Sequence, residues 1–234
     1  MKKFLLAAVV LLGSISLANA ERFSIGVTAT GALFEADGAT ETFSGDHSSN
    51  TTSTKVTNNA STEGENAEAA VVMGSIFFEV AANDKISLGV NYVPHSMDSE
   101  TTENIQNIGD LPEDTGNDNE VRNTVKVSFE DLTTIYALAN LNDNVYAKVG
   151  YVEVDVITDE NLATGGAYGN TSFDGYSIAL GYSLDMADGT FARIEAGYMD
   201  LDGATVTNDN DSTKSVTVDG INGYSAGISI GKSF

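Results

Sequence analysis

From Phe23 to the C-terminal Phe234, apolar residues recur at every second position in segments of about ten residues. That is the period of a β-strand, not of a helix. The last segment is the clearest. Tyr224, Ala226, Ile228, Ile230 and Phe234 fall on one face, and Gly223, Ser225, Gly227, Ser229, Gly231 and Ser233 on the other. The first segment repeats it, with Phe23, Ile25, Val27, Ala29, Gly31 and Leu33 against Ser24, Gly26, Thr28 and Thr30. One face is greasy and the other is small and polar. A soluble carrier barrel needs the reverse, a greasy interior and a polar outside.

Six further segments follow the rule. Ala70 to Val80 presents Val72, Ile76, Phe78 and Val80, and Lys85 to Tyr92 presents Ile86, Leu88, Val90 and Tyr92. Thr124 to Ala139 presents Leu132, Thr134, Tyr136 and Leu138; Val145 to Val156 presents Val145, Ala147, Val149 and Tyr151. Ser172 to Leu184 presents Tyr176, Ile178, Leu180 and Tyr182, and Thr190 to Leu201 presents Ala192, Ile194, Ala196 and Tyr198. The connections alternate in length. Ala81–Asp84, Asn140–Asn144 and Asp185–Gly189 are short and carry turn residues. Phe34–Ala69, Val93–Asn123, Ile157–Thr171 and Asp202–Gly220 are long and polar. The fold class predicted is all-β: an eight-stranded antiparallel transmembrane β-barrel of outer-membrane type, with short periplasmic turns and long extracellular loops. A sheet in lipid must close on itself, because an open edge leaves backbone groups unpaired.

The N-terminus fits export. Lys2 and Lys3 precede the apolar run Phe4–Leu12, and Ala18-Asn19-Ala20 matches a small-x-small cleavage site. Residues 1–20 therefore read as a cleaved signal peptide and 21–234 as the barrel domain. The run is too short to span as a helix, and no second one reaches spanning length. The predicted location is the bacterial outer membrane, reached through the periplasm.

Aromatic residues form two expected girdles. Phe23, Phe78, Tyr136, Tyr182 and Phe234 lie toward the short turns, and Tyr92, Tyr151, Tyr176, Tyr198 and Tyr224 toward the long loops. Charges on the opposite parity are expected in the lumen: Glu79, Lys85, Asp131, Lys148, Arg193 and Glu195. They either line a narrow conduit or pair and plug it. An eight-stranded interior has room only for side chains, which favours the plug, with Glu79 against Lys148 or Arg193. Above the bilayer the hairpin of the fourth and fifth strands reverses its character. Val125, Val127, Phe129, Val152, Val154 and Val156 point inward there, as packing beneath the loops or as a mouth pocket for a small apolar ligand.

These features resemble the small bacterial outer-membrane barrels of the OmpA-transmembrane, OmpX and opacity-protein type, and more loosely the porins. The resemblance covers the mature chain. It implies that Tyr224, Ile228, Ile230 and Phe234 are the signal read by the barrel-assembly machinery, and that outer-membrane lipid and lipopolysaccharide surround the barrel.

Composition narrows the function. The chain has 34 acidic and 11 basic residues, a net charge of −23, two histidines and no cysteine. That excludes thiolate chemistry, and it disfavours nucleic acid, whose phosphates need a basic surface. Most of the acids lie in the four long connections, against Lys55, Arg122 and Lys214. Asp98 to Glu100, Glu113-Asp114, Asn117 to Glu120 and Asn208 to Asp211 offer oxygen ligands for weak divalent-cation binding, but none fits a calcium-loop pattern. His47 beside Asp46, and His95, sit in loops without a catalytic constellation. No cofactor and no catalytic residue is expected. The functional order is a plugged monomeric barrel displaying acidic loops, then a small porin-like channel, then an outer-membrane enzyme.

Overall fold

The computed structural model describes residues 22–36, 38–43, 60–63, 67–107, 120–162 and 166–234. The signal-peptide segment, His47 and the Glu113 to Asn119 stretch lie outside them. Twelve strands follow in chain order: β1 (Phe23–Ala36), β2 (Ala39–Phe43), β3 (Ala60–Glu63), β4 (Ala67–Ala81), β5 (Ile86–Tyr92), β6 (Met97–Asp98), β7 (Thr102–Asn107), β8 (Glu120–Asn140), β9 (Val145–Leu162), β10 (Thr171–Asp185), β11 (Thr190–Thr207) and β12 (Lys214–Ser233).

Eight of them close a barrel in the order β1-β4-β5-β8-β9-β10-β11-β12, every pair antiparallel, with β12 returning to β1 from Ser24↔Ser233 to Ala36↔Ile221. The other four extend the wall beyond it. β2 continues β1 along β12, β3 pairs β2, and β6 and β7 run along β8. The long connections thus carry strand where the sequence shows only polar loop. Two short turns close through asparagine. Asn83 Oδ1 accepts from the Lys85 and Ile86 amides, and Asn142 Oδ1 from Asn144 and Val145. The third turn folds through Asp188 and Gly189, both at positive φ.

Side-chain parity follows the expected faces on β1, β9, β10, β11 and β12. Ile228 is 67 % exposed and Leu180 60 %, while the opposite faces hold serine, threonine and glycine. Thr28 and Ser229 share a hydroxyl hydrogen bond of 2.8 Å inside the wall. Val80 keeps outward parity but is buried, its cross-strand neighbours being Phe23 and Leu88.

β8 departs from the expectation. Its pairing with β9 shifts register between Glu130 and Thr133, and Asp131 stands at φ 56°. A bulge inserts one residue, and a one-residue slip turns every later side chain to the other face. Leu132, Tyr136 and Leu138 are consequently buried inside, not lipid-facing. Above the bulge Phe129 and Val127 still point inward and pack on the inner cluster. Leu132 joins that cluster, with Ala32, Met73, Val93, Val152, Val154, Val156, Phe173 and Leu201. Val127, Val152, Val154 and Val156 of the projecting hairpin are therefore part of the inner packing.

Candidate functional site

Below the apolar cluster, six inward side chains form a closed circuit. Arg193 on β11 donates to both carboxylate oxygens of Glu79 on β4, at 2.7 and 3.0 Å. The Tyr136 hydroxyl on β8 donates to the same carboxylate at 2.9 Å. The Tyr136 ring lies 5.0 Å from the Lys148 ammonium. Lys148 on β9 in turn donates to Glu195 on β11 at 2.5 Å. Tyr146 donates to the other Glu195 oxygen at 3.0 Å, and its ring lies 5.2 Å from the Arg193 guanidinium. Each tyrosine thus gives its hydroxyl to one ion pair and its face to the cation of the other.

The circuit is electroneutral, two carboxylates against two cations. Its charges are withdrawn from solvent: the side chains of Glu79 and Arg193 are 5 % and 15 % exposed. Phe191 and Phe77 flank Arg193, with ring centroids at 4.3 and 5.8 Å. Buried charges are tolerated when paired and hydrogen-bonded on this scale. Among the described residues, two buried side-chain polar atoms have no hydrogen-bond partner, Arg193 Nε and Asn91 Oδ1. The tyrosine rings fit because glycines face them. A Cβ on Gly89 would strike the Tyr136 ring, and one on Gly181 the Tyr146 ring.

Four of the expected lumen charges, Glu79, Lys148, Arg193 and Glu195, meet in this circuit. Lys85 does not, being exposed in the Ala82–Lys85 turn. Asp131 does not either: the bulge turns it outward, where it accepts from the Tyr92 hydroxyl at 2.5 Å. Tyr136 leaves the expected girdle and becomes a lumen residue. Tyr146, Phe77 and Phe191 line the lumen without having been expected there. Their signal in the sequence is inward parity on strands whose neighbours offer glycine.

The remaining girdle residues face outward. Phe23 stacks on Phe234 at 5.0 Å and lies 6.1 Å from Phe78. Tyr182 is exposed near the short turns. At the other end Tyr198 meets Tyr224 at 5.3 Å, Tyr151 pairs with Tyr176 across β9 and β10, and the Tyr176 hydroxyl donates to Asp200. Tyr224, Ile228, Ile230 and Phe234 are all exposed on the outer face of β12 and the terminus. In the loops, Asp98 accepts from Lys126 and Ser128, which holds its carboxyl below the usual range, the Lys126 bond first. Asn208 Oδ1 caps the Asn210 and Asp211 amides. Among the described residues, no three acids or histidines converge as a metal site.

An exterior of Ile25, Val27, Val149, Ile178, Leu180, Ile194 and Ile228, bounded by aromatic rings, suits hydrocarbon and not water. The fold is that of an outer-membrane β-barrel. Such a wall faces the hydrocarbon of a membrane. No protein-family profile and no curated protein matches it. Solved structures similar to it include the attachment invasion locus protein Ail of Yersinia pestis, with 8 % identity, TM-score 0.38, and coverage of 89 % of this chain and 99 % of that one. OprG of Pseudomonas aeruginosa is similar at 13 % identity and TM-score 0.45, covering 92 % and 96 %. The outer-membrane protease OmpT of Escherichia coli is similar at 10 % identity and TM-score 0.39, covering 92 % and 97 %.

Proposed function

We propose that this barrel is plugged by its own side chains and acts through the acidic surface it displays outside the cell. The observation that carries the reading is the closed Arg193–Glu79–Tyr136–Lys148–Glu195–Tyr146 circuit beneath a packed apolar cluster. Every ionised group in it is matched, so none is left to draw an ion through the lumen. The strands that project beyond the barrel then serve to carry the loops.

On this reading residues 1–20 are removed on export, and Tyr224, Ile228, Ile230 and Phe234 are offered to the barrel-assembly machinery. The surroundings are outer-membrane lipid and lipopolysaccharide, with divalent cations bound weakly at the loop carboxylates. The closed wall of the barrel supports a monomer.

Single-channel conductance tests the proposal. Refolded protein that shifts on a gel when heated, yet stays silent in a planar bilayer, is the expected result. Discrete openings that change size in Arg193→Met would overturn the plug and make a small channel the function.

A further inference from the structure

A groove of about 660 Å³ crosses the outer wall from β12 to β5. Tyr198 and Tyr224 of the loop-side girdle border one end, and Ala139 and Ile86, beside the short turns, border the other. Alanine makes the groove. Outward parity between those ends gives Ala137, Ala147 and Ala196 as a low floor, whereas Val149 and Leu180 stand higher and more than half exposed. The groove crosses five ladder spacings, about 24 Å. Strands tilted about 40° turn that into a descent of about 15 Å, half the hydrocarbon thickness of about 30 Å. Its lining and its depth suit one acyl chain in one leaflet.

The end at Tyr198 is acidic. Asp200, the next outward residue of β11, accepts from the Tyr176 hydroxyl at 2.8 Å. Glu153 and Asp174 face each other on the adjoining ladder, and Asp202 follows Asp200. Among the described residues, the outer face of β9 to β12 has no lysine or arginine between these carboxylates and Lys232 at the opposite rim. A headgroup whose only charge is a phosphate is repelled at this end. An ammonium is attracted twice, by the carboxylates and by the tyrosine faces. A carboxylate has about four acceptor sites, and Tyr176 uses one of those on Asp200.

We propose that this groove seats one acyl chain of a membrane lipid whose headgroup carries a protonated amine, with the ammonium at Asp200 between Tyr176 and Tyr198. The groove alone accepts any acyl chain; the carboxylate end selects the headgroup. The site lies on the outer wall and is independent of whether the lumen conducts.

The test uses the full chain refolded in micelles of a neutral maltoside detergent, which has no amine. The micelles carry equal amounts of phosphatidylethanolamine and phosphatidylglycerol with identical acyl chains, and the lipid that stays with the protein is counted by mass spectrometry. The ethanolamine lipid is expected to be retained about threefold over the glycerol lipid, the scale of one ammonium against aromatic faces. Asp200→Asn keeps an oxygen for the Tyr176 hydroxyl but removes the charge, and should at least halve that preference. Ala147→Leu with Ala196→Leu fills the groove and should remove the retained ethanolamine lipid. A gel band that still shifts on heating shows that each variant is folded. Equal retention of the two lipids, or a preference unchanged in Asp200→Asn, overturns the proposal. So does a preference that survives the filled groove, because the carboxylates would then attract amines without it.

Discussion

Arg193 and Glu79 form their two-bond ion pair across the lumen, between β11 and β4, which β12 and β1 separate in the wall. It braces strands that share no ladder. Removing one partner strands a buried charge, which costs about 3–5 kcal/mol, whereas replacing both with apolar groups is often neutral. Glu79→Gln is therefore expected to destabilise far more than Glu79→Gln with Arg193→Met. Urea unfolding in lipid vesicles, followed by gel mobility, reads both. Equal losses would show that the pairing itself is not what matters.

The tyrosine hydroxyls are expected to matter separately from their rings. Tyr136→Phe and Tyr146→Phe keep the cation-facing ring and delete one bond to a carboxylate. Bonds to charged groups contribute about 1.5–3 kcal/mol. Each variant should lose stability on that scale by the same unfolding assay. A Tyr136→Phe protein as stable as the parent would separate Tyr136 from the circuit.

Most of the wall was legible because lipid outside and a crowded lumen inside impose opposite choices on alternate residues. Residues such as Ile228 and Lys148 declare their faces. β8 departs from its sequence pattern for a physical reason. Its apolar residues shift from odd positions, Val125, Val127 and Phe129, to even ones, Leu132, Tyr136 and Leu138. A continuous frame makes the second set lipid-facing. The shift instead marks the bulge at Asp131, and both sets are internal. Tyr136 was hidden twice over, since an aromatic ring fits a girdle as well as a lumen. The circuit itself joins β4, β8, β9 and β11, and no local spacing encodes such contacts.

The bulge offers its own test. Asp131 adopts positive φ and accepts from Tyr92. Asp131→Val places a branched side chain in a conformation that costs about 1–3 kcal/mol, and deletes the hydrogen bond as well. Asp131→Gly loses only the bond and should be the milder change. The order of their unfolding midpoints checks it, and equal midpoints would mean that loss of the Tyr92 bond, not backbone strain, sets the effect.

Glycine substitutions should sort by face. Gly89→Ala and Gly181→Ala drive a methyl into the Tyr136 and Tyr146 rings and should cost about 1–3 kcal/mol. Gly31 on the outer face has open space around it, so Gly31→Ala should be nearly silent. Equal penalties at Gly89 and Gly31 would contradict the inward seating of Tyr136.

Outside the membrane, Glu160 on β9 accepts the Tyr168 amide at 3.0 and 3.2 Å. Burial holds its carboxyl above the ordinary range; the Tyr168 bond opposes this, and the Asp209 charge adds to it. A raised folded value means that the docked state prefers the protonated acid. The stabilisation is then complete below the ordinary value of 4.5 and fades as pH rises through the folded one. Intrinsically corrected exchange at the Tyr168 amide should therefore slow as pH falls from neutral toward that value, since a protonated carboxyl still offers an accepting oxygen. Glu160→Gln keeps an acceptor without the charge, and should hold Tyr168 protected at a constant level. Protection that instead grows toward neutral pH would mean that the charged hydrogen bond outweighs the cost of burial.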